Sequence, residues 1–333
     1  VFRTSRIRIT AAVFTAATLA LAGCSSESGS SNADSSKPDA GEEPYSIGIS
    51  QLVQHPALDS ATEGFKQAFA DAGIDVKWEE QNANGEQATA LTIAQQFTAQ
   101  DLDLVLANAT PAAQAMAQNI ADIPVLFTSV TDPVEAQLVE SLESPGGNVT
   151  GTSDKTPLAD QFDLIEQLVP DASTIGIIYS SGEVNSQIQV DEATAEAEGR
   201  GMTVKTQTIT SVGEIPQAVA ALGDVDAFYV PTDNMVVSGI SSLIQAAEEA
   251  KTPVIGAEAG TVEGGAVATI GIDYFELGRQ TGEMAIRILR DGEDPATMPV
   301  ETASEFAYYV NEDAAEAQGV TIPQDILDQA ERV

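Results

Sequence analysis

Thr174-Ile175-Gly176-Ile177-Ile178-Tyr179 and Leu104-Val105-Leu106 are the runs on which the fold turns. Neither alternates apolar with polar residues. A strand with water on one face shows that alternation, whereas a strand buried on both faces reads as a continuous apolar run, as in a parallel sheet sandwiched between helices. Working outward from these two, strand-like runs recur at 46–52, 74–78, 124–127, 202–208, 227–230, 253–255, 266–272 and 306–310, with a short β run closing 144–151. Amphipathic stretches fill the gaps at 58–72, 86–100, 111–120, 157–168, 185–199, 236–250 and 275–290, and further helices are expected at 312–318 and 323–330. In the first helix Ala61, Phe65, Ala68, Phe69 and Ala72 share one face, and Gly73 supplies the stop.

Strands alternating with helices spell βαβ units, so the chain is expected to be an α/β protein with two doubly wound parallel-sheet lobes joined by three crossover segments. The Pro/Gly-bearing stretch Ser144-Pro145-Gly146-Gly147-Asn148-Val149-Thr150-Gly151 marks the first crossing. The helix after Ile272 and the strand near 306–310 mark the other two. The expected division is 1–23 signal peptide, 24–43 flexible tether, 44–151 plus 274–296 first lobe, and 152–273 plus 297–333 second lobe.

The first 23 residues read as a secretory signal. Arg3, Arg6 and Arg8 form a basic start, 9–22 is uncharged and mostly apolar, and Leu21-Ala22-Gly23-Cys24 follows. The stretch is shorter than the roughly 20 apolar residues a membrane span requires. The tetrapeptide resembles a bacterial lipobox, and the resemblance implies that Cys24 is diacylated and anchors the protein outside the cytoplasm. Cys24 is the only cysteine, so no disulfide within the chain and no thiolate zinc site is expected. Residues 25–43 are rich in Ser, Gly and acids without apolar periodicity, as in a tether.

With 14 Lys plus Arg against 51 Asp plus Glu, the formal charge is −37. A surface this acidic repels phosphate backbones, so nucleic acid is excluded as a partner. The acids are scattered over helices, not spaced as in a calcium loop, and fit solubility outside a cell. The pairs Asp101/Asp103 and Asp224/Asp226 read as solvated turns before buried strands. An enzyme is disfavoured: His55 is the one histidine, there is no Gly-x-Ser-x-Gly elbow, and no glycine-rich phosphate loop is present. His55, just before Pro56, reads as a residue that opens a helix or lines a cleft. No cofactor and no metal are expected.

In open α/β sheets ligands bind beyond the carboxyl ends of the strands. That rule selects the loops 51–56, 108–114, 128–133, 180–186, 231–234, 256–260 and 273–274, all rich in hydroxyls, amides and acids. Thr110-Pro111 suits a helix start, where free N–H groups favour an anion.

The loops also carry a resemblance. Ile47-Gly48-Ile49-Ser50-Gln51-Leu52-Val53-Gln54-His55-Pro56-Ala57-Leu58-Asp59, Ala109-Thr110-Pro111-Ala112-Ala113-Gln114, Val130-Thr131-Asp132-Pro133, Pro145-Gly146-Gly147-Asn148-Val149-Thr150-Gly151, Glu183-Val184-Asn185-Ser186, Pro231-Thr232-Asp233-Asn234, and Gly271-Ile272-Asp273-Tyr274 before Leu277-Gly278 stand in order. Together they resemble the ABC-transporter substrate-binding lipoproteins of the type I periplasmic-binding-protein fold, in the branch of the tryptophan-binding protein TrpX. The family often carries an acid at the position of Gln54. The resemblance implies two lobes that close on a small ligand and present it to a membrane permease, with an amino acid, aromatic or otherwise large and apolar, as that ligand. A zwitterion would place its carboxylate at Thr110 and its ammonium at Glu258, Asp233 or Asp273, with neutral bonds from Gln51, Thr131, Asn185, Ser186, Thr232 and Asn234. The competing expectation is a surface sensor or receptor of the same fold.

Overall fold

The computed structural model describes residues 43–303 and 305–333. The expected signal segment, Cys24 and all but the last residue of the expected tether lie outside the described residues. The first sheet is built from β1 (Tyr45–Gln51), β2 (Val76–Asn82), β3 (Leu104–Asn108), β4 (Val125–Thr128) and β5 (Val149–Ser153), connected through α1 (Pro56–Asp71), α2 (Gln87–Phe97) and α3 (Thr110–Asn119). All its strands are parallel, in the order β5-β4-β3-β1-β2. The chain then crosses to α4 (Leu158–Leu168), β6 (Thr174–Ser180), α5 (Val184–Gly199), β7 (Thr203–Ile209), α6 (Ile215–Leu222), β8 (Ala227–Val230), α7 (Asn234–Ser238), α8 (Ile240–Ala250), β9 (Val254–Gly256), α9 (Ala259–Glu263) and β10 (Ala268–Gly271). It returns to the first lobe with α10 (Tyr274–Ile286) and β11 (Glu301–Thr302), which pairs with β5. A last crossing leads to β12 (Ala307–Val310), α11 (Glu312–Gln318), α12 (Gln324–Leu327) and β13 (Glu331–Arg332).

The second sheet runs β13-β12-β10-β9-β8-β6-β7. It is parallel except where β12 lies antiparallel to β10, because the third crossing enters from the opposite end. β11 follows residue 297, where the sequence reading began the second lobe, so the first sheet reaches Thr302.

The apolar runs behave as their sequence implies. Along β3, Leu104 and Leu106 join a core layer with Phe65 and Phe69 of α1 and Met284 of α10. Val105 and Ala107 face the opposite layer, with Ile93 and Phe97 of α2 and Met116 of α3. Along β6, Ile175, Ile177 and Tyr179 pack with α4 and α5, while Ile178 turns to the layer of α6 and α8. The edge strands β2 and β7 are the half-exposed ones.

Three details differ from the sequence reading. The expected helix 236–250 is two helices, α7 and α8, parted at Gly239. A Cβ at Gly239 would lie 2.4 Å from Val212 Cγ1, so the chain bends where a neighbour leaves no room for a side chain. α6 was not anticipated, nor were the two-residue strands β11 and β13. Asp103 and Asp226 do sit at the turns before β3 and β8, but each anchors backbone: Asp103 accepts from Ser46 N at 2.7 Å, and Asp226 from Ser173 N at 2.8 Å and Thr174 N at 2.9 Å.

In the first sheet the chain goes from β1 to β2 on one side and to β3 on the other. In the second it does the same from β6 to β7 and β8. These two reversal points open crevices at the carboxyl ends of β1/β3 and β6/β8, where open α/β sheets hold ligands.

Candidate functional site

The loops leaving β1, β4, β5, β8, β9 and β10 meet around a small, nearly filled pocket with about 10 Å³ of free volume. Its wall carries three acids (Asp154, Asp233, Glu258), three hydroxyls (Ser129, Thr232, Tyr274), His55 and Asn234, and an apolar side of Ala57, Leu58 and Val237. Contacts across the cleft seal it. Thr131 Oγ1 and Thr232 Oγ1 lie 3.1 Å apart, Gln189 Nε2 reaches Thr131 Oγ1 at 3.4 Å, and His55 Nε2 meets Asn234 Oδ1 at 3.3 Å. Farther out, Gln87 donates to the carbonyl of Gly182 across a wider groove lined by Leu52, Pro111, Val212 and Met235.

Two of the crossings are tied together at the cavity floor. Asp154, the residue after β5, accepts from Thr131 Oγ1 at 2.9 Å with one oxygen and from Tyr274 OH at 2.7 Å with the other. Tyr274 opens α10. Thr131 in turn faces Thr232, which accepts from Gln189 Nε2 at 2.7 Å. A single line of hydroxyls therefore runs from the second lobe through the first to a hinge carboxylate.

Each acid has a different occupation. Asp233 is fully spent: it caps α7 by accepting from Val236 N at 2.8 Å and braces β6 by accepting from Ser180 N at 2.5 Å. Glu183 accepts from Asn234 N at 3.2 Å, Asn234 Nδ2 at 2.5 Å and Met235 N at 3.1 Å. Glu258 uses Oε2 alone, accepting from Gly260 N at 2.7 Å, and leaves Oε1 buried without a partner. Burial raises all of them. Asp154 and Asp233 rise for that reason foremost, Glu183 by burial and then the charge of Asp233, and Glu258 is pushed up to about 7. Burial lowers His55 to about 4, so its imidazole is neutral at pH 7. With Asn234 oriented by its bond to Glu183, Nε2–H is the donor to Asn234 Oδ1, and the unpartnered Nδ1 is an acceptor. Ser129 Oγ is also buried and unpartnered, on a residue at φ 57°; Ala109, after the neighbouring strand β3, stands at φ 87°. Non-glycine residues held there cost free energy and concentrate at ligand sites.

Of the residues expected from sequence, Thr232, Asp233, Asn234 and Glu258 line the cavity, and Thr131 is joined to it through Asp154 and Thr232. Asn185 supports it by donating to the carbonyl of Thr232 at 3.0 Å, and Ser186 is buried beside Asp233. Three lie elsewhere. Gln51 turns away to donate to Asp59 Oδ1 at 2.6 Å and accept from Thr62 Oγ1 at 2.8 Å. Asp273 is exposed and caps α10 through Phe275 N and Glu276 N. Thr110 is the first residue of α3, with Ala109 at the cap position, and is buried off the cavity wall. Sequence reasoning passed over Asp154, Ser129, Tyr274 and Glu183 as ligand-facing or supporting groups. All but Asp154 sit in loops that the carboxyl-end rule had selected, and the same rule applied to the end of β5 reaches Asp154.

The buried acids set a pH dependence. Unfolded, Glu258 titrates near the ordinary glutamate value of 4.5, and burial pushes it up to about 7 in the folded protein. Between those values the folded state holds more protons than the unfolded one, so stability falls as pH rises through the folded pKa. Unfolded His55 is half protonated at pH 6.5 and neutral above about pH 7.5, which offsets this fall by only about 0.4 kcal/mol. The ligand-free protein is therefore expected to melt at a lower temperature at about pH 8.5 than at about pH 6.5. Calorimetry checks this, and in Glu258→Gln the difference shrinks; equal melting temperatures in the wild type would mean that the acid is not buried as described.

Comparison with known proteins agrees with this geometry. Residues 46–333 match the family model for "ABC transporter substrate binding protein". The chain belongs to that family. A protein of Clostridioides difficile named tyrosine-binding protein is 43% identical over 302 residues, covering 89% of this chain and 87% of that one. Among solved structures, the ABC domain in complex with L-Trp from Streptococcus pneumonia superimposes with a TM-score of 0.83 at 39% identity, covering 87% of this chain and 99% of that one. A ligand-free, open substrate binding protein with adhesive properties from Clostridium difficile is 42% identical with the same coverage, but its TM-score is 0.67. At similar identity the liganded structure fits better, which agrees with the contacts that seal the cleft: this substrate-binding protein is in a closed arrangement.

Proposed function

We propose that this substrate-binding protein captures an aromatic amino acid as its zwitterion between the two lobes and delivers it to an ABC permease at the outer face of a membrane. The observation that carries the reading is the set of unpartnered buried atoms aimed into one small cavity. Glu258 Oε1 and His55 Nδ1 are acceptors without donors, and Asp154 lies on the same wall. A buried acceptor left unmet costs about 1–3 kcal/mol. An ammonium group brings three donors and a positive charge, and answers that deficit. Ala57, Leu58 and Val237 offer the ring an apolar face, and with only about 10 Å³ free between them the lobes part to admit the ligand. The carboxylate is offered the unpartnered Ser129 hydroxyl. The named ligands of the relatives, tyrosine and L-Trp, each carry the ammonium and the ring that this lining would meet.

In this reading, bending occurs near 150–152 and 272–274, where the chain crosses between the lobes, and lipid on Cys24 holds the protein at the membrane. The ligand touches both lobes only when they are closed, so binding shifts the population toward the closed state. A thermal-shift screen with the twenty amino acids, sugars and nucleosides tests the assignment. L-Tyrosine or L-tryptophan at 100 times its dissociation constant is expected to add about 2.7 kcal/mol of stability. A shift with sugars or nucleosides and none with any amino acid would overturn the ligand class and leave the binding-protein fold.

A further inference from the structure

The cavity holds more negative capacity than one ammonium can neutralise. Asp154 comes from the end of β5, Glu258 from the start of α9, Asp233 from the start of α7, and Tyr274 from the start of α10; His55 faces them from α1, and Glu183 backs Asp233. Glu263 on α9 adds its charge to the field at Glu258. Among the described residues no Lys or Arg lines the cavity. Like-charged carboxyls in one dry space do not all ionise; one keeps a proton.

The hydrogen bonds say which one. Both oxygens of Asp154 accept from an O–H donor, and both of Asp233 from a backbone N–H, so each has donors that favour its charged form against the burial that raises it. Glu183 receives N–H groups on both oxygens. Glu258 alone has an oxygen with no donor, 2% exposed as a residue. We propose that capture of the amino acid expels one proton from the Glu258 carboxyl, so that the site holds its ligand at neutral pH and loosens in acid. The inference rests on the zwitterion reading above. The O–H bond of Glu258 breaks, the proton passes to solvent, and an ammonium N–H takes its place at Oε1. Burial foremost, then the charges of Glu263 and Asp154, raise Glu258 to about 7, which sets the window. The ionised form binds, so affinity is full above that value and is lost as pH falls below it. His55 stays neutral throughout.

Titration calorimetry of the whole protein with L-tyrosine and L-tryptophan, in buffers of small and large ionisation enthalpy, reads the proton count directly. At about pH 6 the expected release is close to one proton per ligand, vanishing above about pH 8, and the dissociation constant rises by up to about tenfold per pH unit in acid. In Asp154→Asn the like charge facing Glu258 is gone, and the release is expected to move to lower pH. Glu258→Gln is expected to abolish it. Tight binding with heats independent of buffer overturns the proton release and leaves the amino-acid reading standing. Release that persists in Glu258→Gln moves the proton elsewhere and overturns the assignment. Absence of binding by either amino acid overturns both.

Discussion

Gly278→Ala is expected to destabilise the protein by about 2–3 kcal/mol, the range for forcing atoms into a filled interior. A Cβ at Gly278 would lie 1.9 Å from the carbonyl oxygen of Ala61 and 2.7 Å from its Cα. The contact is reciprocal, since a Cβ at Gly64 would lie 1.9 Å from the carbonyl oxygen of Phe275. α1 and α10 thus touch backbone to backbone, and no rotamer change relieves the clash. Alanine is the better helix former by about 1 kcal/mol, which offsets only part of the loss. Gly199 is the control: it ends α5, and an added Cβ there meets nothing within 4 Å, so Gly199→Ala is expected to be neutral or slightly stabilising. Urea unfolding of both variants decides. A Gly278→Ala protein as stable as the wild type would show that α10 can move off α1 at little cost.

Glu258→Gln is expected to weaken L-tyrosine or L-tryptophan binding by about 2–4 kcal/mol, a loss of about thirtyfold to a thousandfold, because a buried ammonium would lose its counter-charge. The amide keeps the acceptor to Gly260 N, so the fold should tolerate it. The other two acids named from sequence separate cleanly from this result. Asp233→Asn removes a carboxylate that caps α7 and braces Ser180, and its cost should appear mainly in urea unfolding, on the order of 1 kcal/mol for the cap. Asp273→Asn alters an exposed cap and should leave affinity unchanged. Calorimetry on the three variants tests the order; equal affinities in all of them would remove Glu258 from the ammonium site.

The fold was legible because burial on two faces writes itself as continuous apolar runs, as at Ile175–Tyr179, where a helix or a half-wet strand would have shown a period. What stayed hidden was short or lacked a pattern of its own. β11 and β13 have two residues each, set by pairing with β5 and β12. α6 spans eight residues with Pro216 in its first turn. The site was legible at the level of loops, because strand ends point at the crevice whatever their side chains. It was not legible residue by residue. Gln51 and Asp273 stand at strand ends as expected, yet one turns to Asp59 and Thr62 and the other caps its own helix. Side-chain direction there depends on partners eight or more residues away or on local capping, which no single-sequence period encodes. Asp154 shows the converse: unremarkable beside Ser153 in the sequence, it holds Thr131 and Tyr274 from two other segments.

The order in which the chain is threaded carries a consequence for its birth. The first sheet is begun at Tyr45, but α10, which covers one of its faces, and β11 come only after Tyr274. The second sheet waits longer still, for β12 and β13 at the far end of the chain. A polypeptide emerging amino end first therefore cannot finish either half until nearly all of it is out, and both halves then finish almost together. Until that moment one face of the first sheet lacks its covering helix, and its apolar residues stay exposed and prone to stick.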